Sequence, residues 1–288
     1  MKSSPKKNLL ILIFLALIWG SSYILMKKGL VAFSPIQVAA LRIIISALVL
    51  LPFLRKIAPK NFIFILIVAF LGSGLPTFIY PYAITKIDSS MAGIINSLTP
   101  VFTVLFGILL FKNKIRLIQF FGLAISLFGA VLLILLGNEN KEMTLNSFAL
   151  IAVLAPLFYG LSSNVLKAKL THIPALSLTA NTFAMLLPFA LIVLFRTDFI
   201  SIMQTHPEAY SSIGFISILA IVGTAMALVI FNFLIKSTSA VYASSVTFLM
   251  PIVVLLWGIF DGENIGFIHI LGLFLILAGV YVLNYIKK

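Results

Sequence analysis

There is no cysteine in this chain of 288 residues, which excludes a disulfide framework, a thiol nucleophile and a cysteine-ligated metal. Acidic residues are nearly as scarce, with seven Asp and Glu against twenty Lys and Arg. Charged residues of both signs reach only 9% of the chain, where soluble domains carry about 25%. The three histidines, His172, His206 and His269, have no metal-ligand spacing, and no HExxH, GxSxG or phosphate-binding glycine loop occurs. A metal, a cofactor and ATP hydrolysis are therefore not expected. Nor is an intramembrane enzyme, which would need a nucleophile with its base or paired carboxylates at one depth.

What the chain has is apolar surface: 62% of its residues are hydrophobic. Too little polar surface remains to cover a soluble domain, so lipid must be the solvent. Apolar stretches fall at 8–26, 35–54, 61–84, 89–111, 115–136, 146–167, 174–195, 212–235, 239–260 and 265–286. Each is read as helical, because an open strand cannot satisfy its backbone in hydrocarbon. The first is a span rather than a signal peptide, since the run continues through Trp19 to Met26 without a cleavage site. The expectation is an all-α membrane protein of ten transmembrane helices with no sizeable domain outside the bilayer.

The formal net charge of +13 would suggest nucleic acid on a soluble protein. No basic run here has interleaved aromatics, so that partner is not expected, and cytoplasmic loops explain the charge better. With the N-terminus inside, 14 basic residues fall on inner segments and five on outer ones, leaving Arg42 within a span. All seven carboxylates fall on the outer side of the same arrangement. Both termini are thus expected in the cytoplasm.

The two halves resemble each other. Gly20, Ser22, Lys27 and Leu30 align with Gly160, Ser162, Lys167 and Leu170; Pro100 aligns with Pro251; Gly122 and Gly129 align with Gly272 and Gly279. An odd number of spans per repeat turns the second upside-down, the arrangement of alternating-access transporters. The expected division is residues 1–137 and 138–288, each a five-helix repeat.

Several polar or aromatic residues stand out within the spans. Trp19 and its mate Tyr159 both fall near mid-bilayer, where aromatic donors are unusual, and read as a pair walling a central cavity. Ser22, Tyr23 and Ser163 accompany them. Arg42 lies roughly 10 Å into its span at 1.5 Å per residue; it either snorkels toward Asp88 or holds an anionic substrate group. Tyr80, Tyr82, Asn96, Asn164 and Asn232 either bond across helices or face a pathway. Gly74 and Pro76 in span three, with Pro100 and Pro251, are candidate hinges or packing kinks. No Asp, Glu or His falls at mid-bilayer, so a facilitator or exchanger is expected rather than a proton-coupled carrier.

The chain resembles the EamA-type exporters of the drug/metabolite transporter superfamily over nearly its whole length. The resemblance rests on Trp19-Gly20-Ser21-Ser22, Ala40-Leu41-Arg42, Ser97-Leu98-Thr99-Pro100, Phe248-Leu249-Met250-Pro251, Gly262-Glu263 and Gly272 through Gly279. One departure is that Lys112-Asn113 replaces the Gly-Glu pair in the first half. The resemblance implies a secondary transporter in a bacterial inner membrane, exporting small metabolites or amphipathic compounds. A lipid-linked sugar flippase or nucleotide-sugar carrier on the same fold is the alternative, and a non-transporting structural membrane protein the reading from another class. The partners implied are a small-molecule substrate and the lipid bilayer.

Overall fold

The computed structural model describes residues 5–56, 58–110, 117–136 and 146–285. Among them every regular element is a helix. The polar stretch 137–145 and the Lys112-Asn113 departure lie outside the described residues.

Helix α1 (Pro5–Gly29) is followed by α2 (Pro35–Leu50), which starts at a capping box. Gln37 N donates to Ser34 Oγ at 3.4 Å and Ser34 N donates to Gln37 Oε1 at 2.8 Å. Pro35 fits the first turn, where its missing N–H satisfies nobody anyway. The third apolar stretch is α3 (Phe62–Ala69) and α4 (Leu75–Ile84), joined by a π-helical segment, Phe70–Gly74. Pro76 has no N–H to offer the carbonyl four residues back, and the wider π turn accommodates the loss.

The fourth stretch is broken. Helix α5 (Ser89–Asn96) ends, Ser97 and Leu98 turn, and α6 (Thr99–Leu109) begins with Pro100 in its first turn. Pro100 therefore starts a helix rather than bending one. Helix α7 (Leu117–Leu136) completes the first half.

Asn146 opens the second half, its side chain accepting from Phe148 N and Ala149 N at 3.0 and 3.1 Å to cap α8 (Ser147–Lys169). Helix α9 (Ala175–Phe195) and the short α10 (Phe199–Thr205) follow. Helix α11 (Ala209–Ala220) passes through a second π-helical segment, Ile221–Met226, into α12 (Ala227–Ser237). The next stretch is broken like the fourth: α13 (Ala240–Ser244), a 3-10 turn at Ser245–Phe248, then α14 (Met250–Phe260) with Pro251 in its first turn. Helix α15 (Phe267–Tyr285) is last.

Among the described residues, eight segments are long and apolar enough to cross a bilayer, and two shorter apolar helices, Phe120–Leu136 and Phe267–Val282, accompany them. The polarity of the molecule is inverted relative to a soluble protein. Leu10, Phe128 and Phe260 are 66%, 62% and 81% exposed, while Ser46, Ser97, Thr103 and Ser244 are wholly buried. Lipid tails are a favourable environment for such an exterior, and water is not.

Glycines set the closest approaches. Helices α7 and α15 pack along their length, and a Cβ at Gly129 would stand 2.7 Å from Leu275 Cβ and 3.0 Å from the Gly272 carbonyl oxygen. At Gly279 an added Cβ would collide with Gly122 O and Ser126. Small residues let two backbones meet where lipid supplies no hydrophobic drive between helices.

Candidate functional site

The two π segments and the two broken helices meet around one cavity of about 1030 Å³, counting its mouth. Helix α1 contributes Trp19, Ser22, Tyr23 and Met26, α2 contributes Arg42, and α3 to α6 contribute Val68, Thr77, Tyr80, Asn96 and Thr99. From the second half come Tyr159, Ser162, Ser163, Leu166, Thr179, Thr182, Thr224, Phe231, Asn232, Thr247 and Met250.

The π geometry has a direct consequence here. It leaves backbone carbonyls outside the ordinary i to i−4 ladder, and side chains answer them. The Trp19 indole Nε1 donates to Gly223 O at 2.9 Å, Ser46 Oγ to Ala220 O at 2.9 Å, and Thr224 Oγ1 to Leu219 O at 2.9 Å. In the other π segment Thr77 Oγ1 donates to Ser73 O. The aromatic rings form a wall: Trp19 meets Phe231 edge-on at 5.0 Å, Tyr23 meets Tyr80 edge-on at 5.4 Å, and Tyr80 stacks on Tyr159 at 6.5 Å. Tyr80 Oη donates to Asn96 Oδ1 at 2.7 Å, and Asn232 Nδ2 donates to Thr179 Oγ1 at 2.9 Å. Arg42 Nε donates to Thr224 Oγ1 at 2.6 Å, so it does not snorkel to Asp88.

Of the residues singled out from the sequence, Trp19, Ser22, Tyr23, Arg42, Tyr80, Asn96, Tyr159, Ser163 and Asn232 share this lining. Two do not. Tyr82 is 47% exposed on the opposite side of α4, tilted against Phe148 at 5.4 Å. Asn164 directs its amide to backbone carbonyls, donating across to Thr103 O of α6 at 2.8 Å and to Gly160 O of its own helix at 2.9 Å. Ser162 of α8, Thr179 and Thr182 of α9 and Thr224 of the second π segment also line the cavity and were not anticipated.

The EamA-like transporter family model matches residues 6–135 and again 146–285. The chain belongs to the EamA-like transporter family. Among its relatives, the inner membrane transporter YedA of Escherichia coli K12, itself uncharacterized, is 26% identical over 94% of this chain and 88% of its own. A probable amino-acid metabolite efflux pump of Salmonella typhimurium is 23% identical over 96% of this chain and 94% of its own. A solved crystal structure aligns over 98% of both chains with a TM-score of 0.64 at 18% identity, a likeness of fold alone. This is therefore a multi-span membrane protein of a transporter family.

Two lysines stand one residue beyond the cavity lining. Lys27 follows Met26 at the end of α1, and Lys167 follows Leu166 near the end of α8. Lys27 Nζ lies 2.6 Å from Asp261 Oδ2 and 3.2 Å from Glu263 Oε1, while Lys28 Nζ lies 3.0 Å from Asp261 Oδ1. Glu263 also caps α5: its Oε1 accepts from Ser89 N at 3.1 Å and Ser89 Oγ at 2.5 Å, its Oε2 from Ser90 N at 3.0 Å. The carboxylate reaches α5 from a turn in which Gly262 adopts φ +77°, a conformation glycine takes at no steric cost. Burial pushes the Glu263 carboxyl up, but the Ser89 and Ser90 donors and the Lys27 charge outweigh it and hold it below the usual range. Burial opposes Lys27 and Lys28 at Asp261 too, and again the lysines prevail.

Among the described residues Lys167 has no such carboxylate partner. Its Nζ donates to Ile235 O at 2.9 Å, Lys236 O at 3.2 Å and Thr238 O at 2.7 Å, the unpaired carbonyls at the end of α12. A cation there also complements the negative end of the helix dipole.

Proposed function

We propose that this chain is a secondary transporter that moves small metabolites or amphipathic compounds outward by alternating access through the central cavity. Its ten transmembrane helices form two inverted five-helix repeats, residues 1–137 and 138–288, with both termini cytoplasmic. The observation that carries the reading is that corresponding irregularities of the two halves converge on one cavity. The π segment at Gly72 has its counterpart at Gly223, and the break before Pro100 has its counterpart before Pro251.

Contacts between the halves correspond as well. Gly72 abuts Ser162 where Gly223 abuts Ser22, and Gly20 abuts Val253 where Gly160 abuts Phe102. Each half supplies the neighbour that the other half needs. Two matches of one family model to a single chain support the same division. Discontinuous helices at a repeat interface are how such carriers place a polar site in mid-bilayer. The efflux-pump name of the Salmonella relative supports the outward direction.

In this reading Gly74, Pro76, Pro100 and Pro251 are the hinge positions, and the Lys27 and Lys167 clusters close the outer and inner ends. The test compares metabolites released into medium by strains overexpressing the wild type, Trp19→Ala or Tyr159→Ala. Wild type is expected to enrich specific compounds, and each variant to lose most of that enrichment while still folding, read as a cooperative melting transition of the purified protein. Equal profiles for wild type and both folded variants would contradict the proposal.

A further inference from the structure

Arg42 is the single charged side chain among the described residues that line the cavity. Its acceptors there are neutral: Nε donates to Thr224 Oγ1 at 2.6 Å, and Nη1 faces Met26 Sδ at 3.8 Å. A thioether is a weak acceptor, and a guanidinium does not escape by losing its proton. Arg42 is half-buried at the cavity wall, and a cation drawn out of bulk water without an anion is costly where the surroundings screen its charge poorly. Arginines inside membrane spans pair with carboxylates or with backbone carbonyls, and the contacts of Arg42 among the described residues include neither. Here the ion pairs among the described residues lie elsewhere, on Lys27 and Lys28. Among the described residues, no Asp or Glu shares the lining.

Deepening the reading of this cavity as the substrate site, we propose that the substrate is a small organic monoanion: one carboxylate on an aromatic or apolar body, the carboxylate being the counter-ion that Arg42 lacks. The Nη1 and Nη2 edge presents two parallel N–H groups, which match the two oxygens of a carboxylate. Trp19, Phe231, Tyr23, Tyr80 and Tyr159 supply the surface for the body.

Charge arithmetic sets the class. One guanidinium neutralises one negative charge. A phosphate dianion or nucleoside diphosphate would leave excess negative charge in mid-bilayer, where it is expensive. That speaks against a nucleotide-sugar carrier. A free ammonium group would meet no carboxylate in the lining and would face the like charge of Arg42. The acid without an amine is favoured over the amino acid and over the amine.

Four compounds of one shape separate these classes: 3-phenylpropionate, 3-phenylpropionamide, 3-phenylpropylamine and phenylalanine. Their equilibrium binding is measured by calorimetry on the purified full chain in nanodiscs. The acid is expected to bind at least about tenfold more tightly than the other three, the difference of one charge-assisted contact pair. Arg42→Gln is expected to make acid and amide equal, and Arg42→Lys to restore part of the difference. The ratio in wild type needs no variant, so poor folding of Arg42→Gln leaves the proposal testable. It is overturned if the amide, amine or zwitterion binds as well as the acid, if no compound binds, or if folded Arg42→Gln keeps the full preference. Should the amide or amine win and Trp19→Ala abolish that binding, only the charge class falls and the cavity stands. Should nothing bind and the efflux profiles also coincide, the transport reading falls with it.

Discussion

Lys27 and Lys167 occupy corresponding places in the two halves, each one residue past the lining of the same cavity, yet their surroundings differ. Lys27 meets two carboxylates, one of which holds the first backbone donors of α5. Lys167 meets three backbone carbonyls directly. Both arrangements join a lysine to the connection that leads into a broken helix, α5 in one case and α13 in the other. At the Lys27 end a carboxylate mediates that join, so it responds to acid. At the Lys167 end the acceptors do not titrate. The two ends of the cavity thus have different chemical sensitivities.

The largest effect is expected from Glu263→Ala. It removes a carboxylate whose side chain is 2% exposed, strands the Ser89 and Ser90 donors and leaves Lys27 with Asp261 alone. Breaking such a buried hydrogen-bonded charge costs about 3 kcal/mol, to be read as a lowered melting temperature of the purified protein. A smaller loss, about 2 kcal/mol for hydrogen bonds to a charged group, is expected for Lys167→Met. Equal losses at both ends would erase the distinction between them.

The smallest effect concerns acid. Asp261 and Glu263 are held below their usual carboxylate values by Lys27, Lys28 and the α5 donors, with His269 and Asp88 close by. A carboxylate whose folded value is depressed stabilises the fold above its unfolded value, about pH 4. That contribution is lost as pH falls through the depressed folded value. Melting temperatures from pH 6 to pH 3 are therefore expected to drop less in Glu263→Ala than in wild type. Lys167→Met is expected to follow the wild-type slope, and parallel slopes for all three would refute the assignment.

Much of this geometry was legible in the sequence because polar and aromatic residues stand out in apolar spans. Trp19, Arg42, Tyr159, Asn96 and Asn232 are conspicuous for that reason. Thr182 and Thr224 are not, since a hydroxyl in a helix can bond its own preceding turn, as Thr182 Oγ1 does to Leu178 O at 2.9 Å. Tyr82 follows Tyr80 by two residues, and that spacing puts the two rings on opposite faces of α4. Asn164 looks like a pathway residue until its two carbonyl partners are seen. The π segment at Gly72 was foreshadowed by Pro76, but the one at Gly223 has no proline nearby. The side chains that satisfy its freed carbonyls, Trp19, Ser46 and Thr224, are brought together only by the fold. Gly262-Glu263 was recognised as a motif, and its role as a cap across to α5 needed the structure.

The central claim is that the two ends open alternately onto one cavity. Because the chain has no cysteine of its own, Thr182→Cys places a single thiol in the lining. Its labelling by an impermeant maleimide added outside intact cells reads how often the Lys27 end is open. Adding Glu263→Gln is expected to speed that labelling several-fold, and adding Lys167→Met to slow it by favouring the opposite opening. Rates that move in the same direction in both backgrounds, or a thiol that never labels, would contradict alternating access through this cavity.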